Sequence, residues 1–207
     1  RQRQMCIRDS HRTVADMAGI SRLQAKTINL GLFYGMGKAK LQAELGLSTK
    51  QEAEQLFNQY HDRVPFVRDL MNETSRWASR EGEIRTLLGR GCRFNKWEPA
   101  QFGMHTPMTW EDAIKKYGEN RIRRAFTYKA LNKLIQGSAA DMTKKSMLDL
   151  YKEGIIAHIQ IHDELDLSVE SPEQVNKIIE IMENAVKLEV PNKVDYESGK
   201  NWGDIYD

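Results

Sequence analysis

The sequence predicts an α+β protein: a mostly helical region first, then a shorter part in which a β-hairpin packs on helices. Two observations carry this expectation. From His11 to about Arg80 short segments with helical apolar spacing follow one another, punctuated by glycine and proline. At Ile155–Ile161 and Leu165–Val169 the pattern changes to strand-type runs, separated only by His162, Asp163 and Glu164.

Length and composition bound the rest. The 207 residues suffice for one large domain or two small ones with a real core. The apolar share is 40% and the charged share 29%, and no apolar run approaches the roughly 18 residues of a membrane span. No membrane partner is therefore expected. Cys6 and Cys92 form neither a disulfide framework nor a metal pattern, which makes a reducing cytoplasm the simplest setting. The net charge of +2 conceals an asymmetry. Residues 1–50 carry nine Lys and Arg against three Asp and Glu, whereas residues 151–207 carry five against thirteen. A basic start and an acidic end suit a polyanion-binding surface beside a carboxylate site that needs cations.

Taken in order, Arg1–Asp9 resembles vector-derived sequence, and 1–10 is expected to stand outside the fold. His11–Gly19 reads as a short helix ended by glycine. A second helix starts at Ser21, and Gly35 and Gly37 end its pattern, as a helix C-terminus requires. Lys38–Gly46 is a further helix with a glycine stop. Ser48-Thr-Lys-Gln51 reads as a capping box that starts a helix to about Arg63, and Pro65 opens another to about Arg80. Glu83–Leu87 and Gly91–Phe94 flank Leu88-Gly-Arg-Gly91, a hairpin signal. Residues 97–118 read as a loop with one short helix near Trp110–Tyr117, and 121–153 as one long helix. Ser171-Pro-Glu-Gln caps a last amphipathic helix whose apolar stripe includes Val175, Ile178 and Val186.

Two stretches carry chemistry. On the helix after Ser21, Arg22, Lys26, Leu30 and Tyr34 recur every fourth position and share a face. Two permanent cations one turn apart suit a triphosphate, because Arg grips phosphate oxygens in a fork and Lys acts as a point charge. A ring at the far end can stack on a base. Taken alone, Arg22 and Lys26 are equally met on an ordinary basic amphipathic surface. The second stretch is the hairpin turn. Asp163, held by apolar strands, is the candidate ligand for a hard cation such as Mg²⁺, with Glu164 beside it and His162 across the turn. His-Asp-Glu by itself is common in polar turns.

Together the strings are far more specific. Arg22-x3-Lys26-x7-Tyr34-Gly35, then Asn132-Lys-Leu-Ile-Gln-Gly-Ser-Ala-Ala-Asp141, then Ile161-His-Asp-Glu164, resemble the family A DNA polymerases of bacteria and phages. His11-x-Thr-x-Ala15 and Asn201-Trp202 extend the resemblance over nearly the whole chain. It implies an incomplete right-hand fold, with a fingers region at 11–120 and the C-terminal part of the palm at 121–207. It implies that Arg22, Lys26 and His11 hold the phosphates of an incoming deoxynucleotide, and that Leu30 and Tyr34, further along the same helix, complete the nucleotide-binding set, Tyr34 stacking near the templating base. Asn132, Gln136 and His162 are then DNA contacts, and Asp163, supported by Glu164, is the metal-binding catalytic acid. The implied cofactor is Mg²⁺, two ions in the complete enzyme; the implied partners are primer–template DNA, dNTPs and the rest of a parent polymerase.

There are departures. Leu30 stands where the family usually has Phe or Tyr, and Tyr128 where many members have a basic DNA contact. Nothing matches the family's first catalytic strand, an Asp-Tyr-Ser-x-x-Glu-Leu-Arg-like segment. The expectation is therefore a C-terminal piece that does not extend primers alone, more phage-like than bacterial. A non-catalytic nucleic-acid-binding module is the competing reading. A metal-dependent phosphohydrolase ranks last, for want of further ligands at short spacing.

Overall fold

The computed structural model describes residues 11–12, 15–16, 19–33, 36–63, 65–101 and 103–201. They fall into two compact units, Arg1–Ile135 and Gln136–Asp207. The fold is α+β, with three separate two-stranded antiparallel sheets among helices. No described helix is long and apolar enough to cross a membrane.

In the first unit four helices succeed one another: α1 (Arg22–Phe33), α2 (Lys38–Leu45), α3 (Lys50–Arg63) and α4 (Pro65–Glu81). Each boundary has a local cause. Ser21 and Gln24 form a reciprocal capping box, Gln24 N–H donating to Ser21 Oγ (3.2 Å) and Ser21 N–H to Gln24 Oε1 (3.0 Å). Gly46 ends α2 in the left-handed region, φ 62°. The cap of α3 sits one residue later than the sequence suggests. Glu52 N–H donates to Thr49 Oγ1, and Ser48 N–H donates to the Glu52 carboxylate, so the box runs from Thr49 to Glu52. A carboxylate at that position also meets the positive end of the helix.

These helices bury one apolar cluster. Ile28, Leu41, Tyr60 and Val67 are at most 1% exposed, with Ile20, Met36, Leu56, Phe57 and Met71 packed around them. Its rim holds His61, 2% exposed, edge-on to Phe57 at 4.5 Å and to Tyr60 at 5.4 Å between ring centroids. Its Nδ1 finds no hydrogen-bond partner among the described residues. Burial, and then the charge of Arg68, holds the His61 pKa below the ordinary histidine range, against the opposing pull of Asp62. The folded imidazole is therefore protonated less readily than the unfolded one, which takes up its proton as pH falls below about 6.5. The contribution of His61 to stability is expected to be full above that pH and to be lost progressively as pH falls below it. Melting curves at about pH 7.5 and about pH 5.5 test this, since His61→Gln should abolish the difference; equal melting temperatures for the native chain would refute it.

Beyond α4, β1 (Glu83–Arg85) pairs with β2 (Gly91–Arg93) as expected. Two expectations fail in the next stretch. Trp97–Pro99 is a strand, β3, paired with β4 (Ile122–Arg124), and the two flank α5 (Trp110–Tyr117). The long helix, α6, starts only at Ala130 and runs to Lys152. The cause is long-range. Arg124 donates to the carbonyls of Ser79 (3.2 Å) and Phe94 (3.0 Å), and its guanidinium lies 4.5 Å from the centre of the Trp97 ring. Trp97 in turn packs on Trp110 at 4.3 Å. Pinned this way, the chain around Arg124 is extended, and its segment cannot join the helix. Ala78, Ile84, Phe94 and Ala130 form the small core beneath.

The second unit contains the rest of α6, the hairpin β5 (Ile159–Ile161) and β6 (Glu164–Asp166), and α7 (Pro172–Asn184). Ser171 caps α7, its Oγ accepting from Gln174 N–H. Val175 and Ile178 face inward from α7, Leu150 from α6, and Lys177 pairs with Glu153 at 2.8 Å.

Candidate active site

In the first unit the candidate stretch is α1. Its twelve residues carry no acidic side chain in the first turn, so the positive end of the helix dipole and the Arg22 guanidinium reinforce each other. Arg22 and Lys26 are exposed, whereas Ala25, Ile28 and Asn29 are buried. The apolar cluster thus anchors one side of the helix and leaves the cationic side outward. His11 joins this helix: its Nδ1 lies 3.1 Å from the side-chain nitrogen of Asn29. Of the other residues expected here, Leu30 contributes backbone to α1 while its side chain lies outside the described residues, as does all of Tyr34.

In the second unit the candidate stretch is the β5–β6 hairpin. Its register pairs Ile161 with Glu164, Gln160 with Leu165 and Ile159 with Asp166. The strands are shorter than expected, and the turn is two residues, His162 and Asp163; Glu164 is the first residue of β6. His162 has φ 53° and Asp163 is not in the left-handed region, the pattern that separates a II′ from a I′ hairpin. Glycine is the usual occupant there, and a non-glycine residue is disfavoured by roughly 1–2 kcal/mol, although histidine tolerates it better than most. Gln160 steadies the turn by donating to the His162 carbonyl at 2.5 Å. Asp163 is exposed at the tip and makes no hydrogen bond or ion pair with the described residues.

Among the described residues no cluster of three or more His, Cys, Asp or Glu could hold a metal by itself. That donor set still fits magnesium, which keeps several waters and binds through one or two carboxylates together with substrate phosphates. Asp163, an unengaged oxygen donor at a constrained turn, meets that need; Glu164 follows it at the start of β6.

Asn132 and Gln136 lie four residues apart on α6 and share a helix face. Asn132 is half-buried and Gln136 exposed. The neighbouring arginines divide: Arg124 is committed to the fold, and Arg123 pairs with Glu98 at 2.9 Å. Asn29 is the residue that sequence reasoning missed. Counting strictly by fours from Arg22 leads to Leu30, but seven residues, nearly two full turns, lead to Asn29.

The family model described as DNA polymerase family A matches residues 8–204. The chain belongs to this family. Among family A proteins it is similar to the DNA-directed DNA polymerase of Pseudomonas phage M6, 33% identical over 94% of this chain and 31% of the phage protein. It is likewise similar to the DNA polymerase I of Geobacillus stearothermophilus, 32% identical over 94% of this chain and 21% of that protein. Among solved family A structures, the POL domain of Pol1 from M. smegmatis, in complex with DNA primer-template and dNTP, superposes with a TM-score of 0.68. It is 29% identical and covers 88% of this chain and 32% of that one. The chain thus spans about a third or less of the length of these family A relatives.

Proposed function

We propose that this chain supplies the fingers and the second palm half of a polymerase that transfers deoxynucleotides from dNTPs to a primer 3′-hydroxyl on a DNA template. The observation that carries the reading is the join between His11 and α1. It adds a third nitrogen donor to a helix that already presents Arg22 and Lys26 and has no acidic side chain in its first turn. Such a surface suits the polyphosphate tail of a nucleotide, because guanidinium, ammonium and imidazole give charge-assisted bonds to phosphate oxygens. The Pol1 structure with its DNA primer-template and dNTP is the ground for naming the same ligands here.

In this reading Asp163 would hold Mg²⁺, with Glu164 in support, and Asn132, Gln136 and His162 would touch the DNA. Bound magnesium would neutralise charge on the phosphates and favour the ionised primer hydroxyl. The hairpin's own part is positional: the short turn fixes the Asp163 carboxylate at its tip. A second carboxylate from outside this chain would complete the centre, since two-metal sites need more donors than one aspartate. A cytoplasmic location follows from the same reading.

The test is nucleotide affinity. Arg22→Ala and Lys26→Ala should each weaken binding of a deoxynucleoside triphosphate by about 10- to 100-fold, the worth of one charge-assisted contact. Isothermal titration of the purified chain reads this directly. Unchanged affinity in both variants would sink the reading.

A further inference from the structure

We infer that Asn29 is a positioning residue: it seats the His11 ring on the nucleotide-binding side of α1 and fixes the proton on Nε2. The inference rests on the proposed role of His11 and adds the residue on which that role depends. Asn29 is 7% exposed, on a stretch of helix whose other inward residues are Ala25 and Ile28. A buried amide among apolar neighbours needs a partner, since burial without a hydrogen bond is unfavourable. That partner is His11, 18 positions earlier in the chain, with Asn29 Nδ2 at 3.1 Å from Nδ1.

The chemistry of the pair sets the tautomer. An amide nitrogen only donates, and a neutral imidazole has one donor and one acceptor nitrogen. With Asn29 donating to Nδ1, the ring proton resides on Nε2, which is left as the donor for a phosphate oxygen. The opposite amide orientation would put the proton on Nδ1 and leave Nε2 a bare acceptor, unable to bind an anion.

Helical register supplies the second argument. Seven residues advance an α-helix by about 700°, so Asn29 lies about 60° from Lys26 around the axis and about 20° from Arg22. Leu30 is turned about 80° away. Asn29 thus sits at the border between the buried side and the cationic strip, and a ring docked on it lies beside the Arg22 edge of that strip.

Two measurements on the purified chain decide the matter. ¹⁵N chemical shifts of labelled histidine near pH 8, with His11 assigned by its absence in His11→Ala, should show protonated Nε2 and bare Nδ1. Asn29→Asp, nearly isosteric, offers only acceptors and should move the proton to Nδ1. The second measurement is a double-mutant cycle read as the dissociation constant for Mg-dATP. Asn29→Ala and His11→Ala should each weaken binding about three- to tenfold, and the double variant no further than His11→Ala alone. A native Nδ1–H tautomer, or fully additive losses, overturns the inference. If no form binds the triphosphate, the functional reading fails and the positioning role falls with it; the tautomer would then report only a structural contact. Binding that persists with unchanged affinity in Asn29→Ala refutes the positioning role and leaves the functional reading standing.

Discussion

Asp163→Asn, in a full-length polymerase context, is expected to reduce turnover by at least about 10³-fold while leaving DNA affinity unchanged. A factor of that size corresponds to about 4 kcal/mol of transition-state stabilisation, within reach of a lost metal ligand. The substitution keeps the volume and the two-residue turn, so the β5–β6 register has no reason to shift. What changes is one negative charge at an exposed tip that makes no bond with the described residues. Affinity for DNA rests on other groups in this reading, which is why the two readouts should separate. If the centre needs a second carboxylate from outside the chain, as proposed, the chain alone should extend no primer. Extension by the variant within tenfold of the native enzyme, or templated synthesis by the purified chain with Mg²⁺, would defeat the assignment. A simple binding module would lose nothing on this substitution.

Ile28→Ala should destabilise the first unit by about 2–5 kcal/mol, the range for removing a fully buried branched side chain. Ile28 is 0% exposed and shares its cluster with Leu41, Tyr60 and Val67. A loss of that order is a large fraction of the roughly 5–15 kcal/mol that holds a domain folded. The effect should also reach function, because this contact anchors the inner side of the helix that presents Arg22 and Lys26 outward. Urea denaturation checks it: the midpoint should fall with little change in slope, and triphosphate affinity should fall with it. A shift below about 1 kcal/mol would mean that α1 is held by something other than this cluster.

Much of the candidate site is legible because its information is local. Arg22 and Lys26 share a face by helical spacing alone, Gly46 marks its helix end through a left-handed φ, and Asp163 is placed at a turn by the strand runs on either side. The Ser21–Gln24 box was equally local, and its signature stands in the sequence. The α3 cap was misjudged by a single residue, since Ser48 and Thr49 are both good caps and only the Glu52 carboxylate decides between them.

By itself, then, the sequence determined the α+β class, the cationic strip of α1 and the hairpin that bears Asp163, which depend on residues a few positions apart, and the family, which depends on several such local strings read together. The tertiary structure alone decided three things: that Trp97–Pro99 and Ile122–Arg124 pair, that α6 begins at Ala130, and that His11 rests on Asn29. Each turns on partners 18 to 45 positions apart, such as Arg124 reaching the Ser79 carbonyl. Periodicity carries no record of such partners, because the buried polar group finds its hydrogen bond only once distant segments have been brought together.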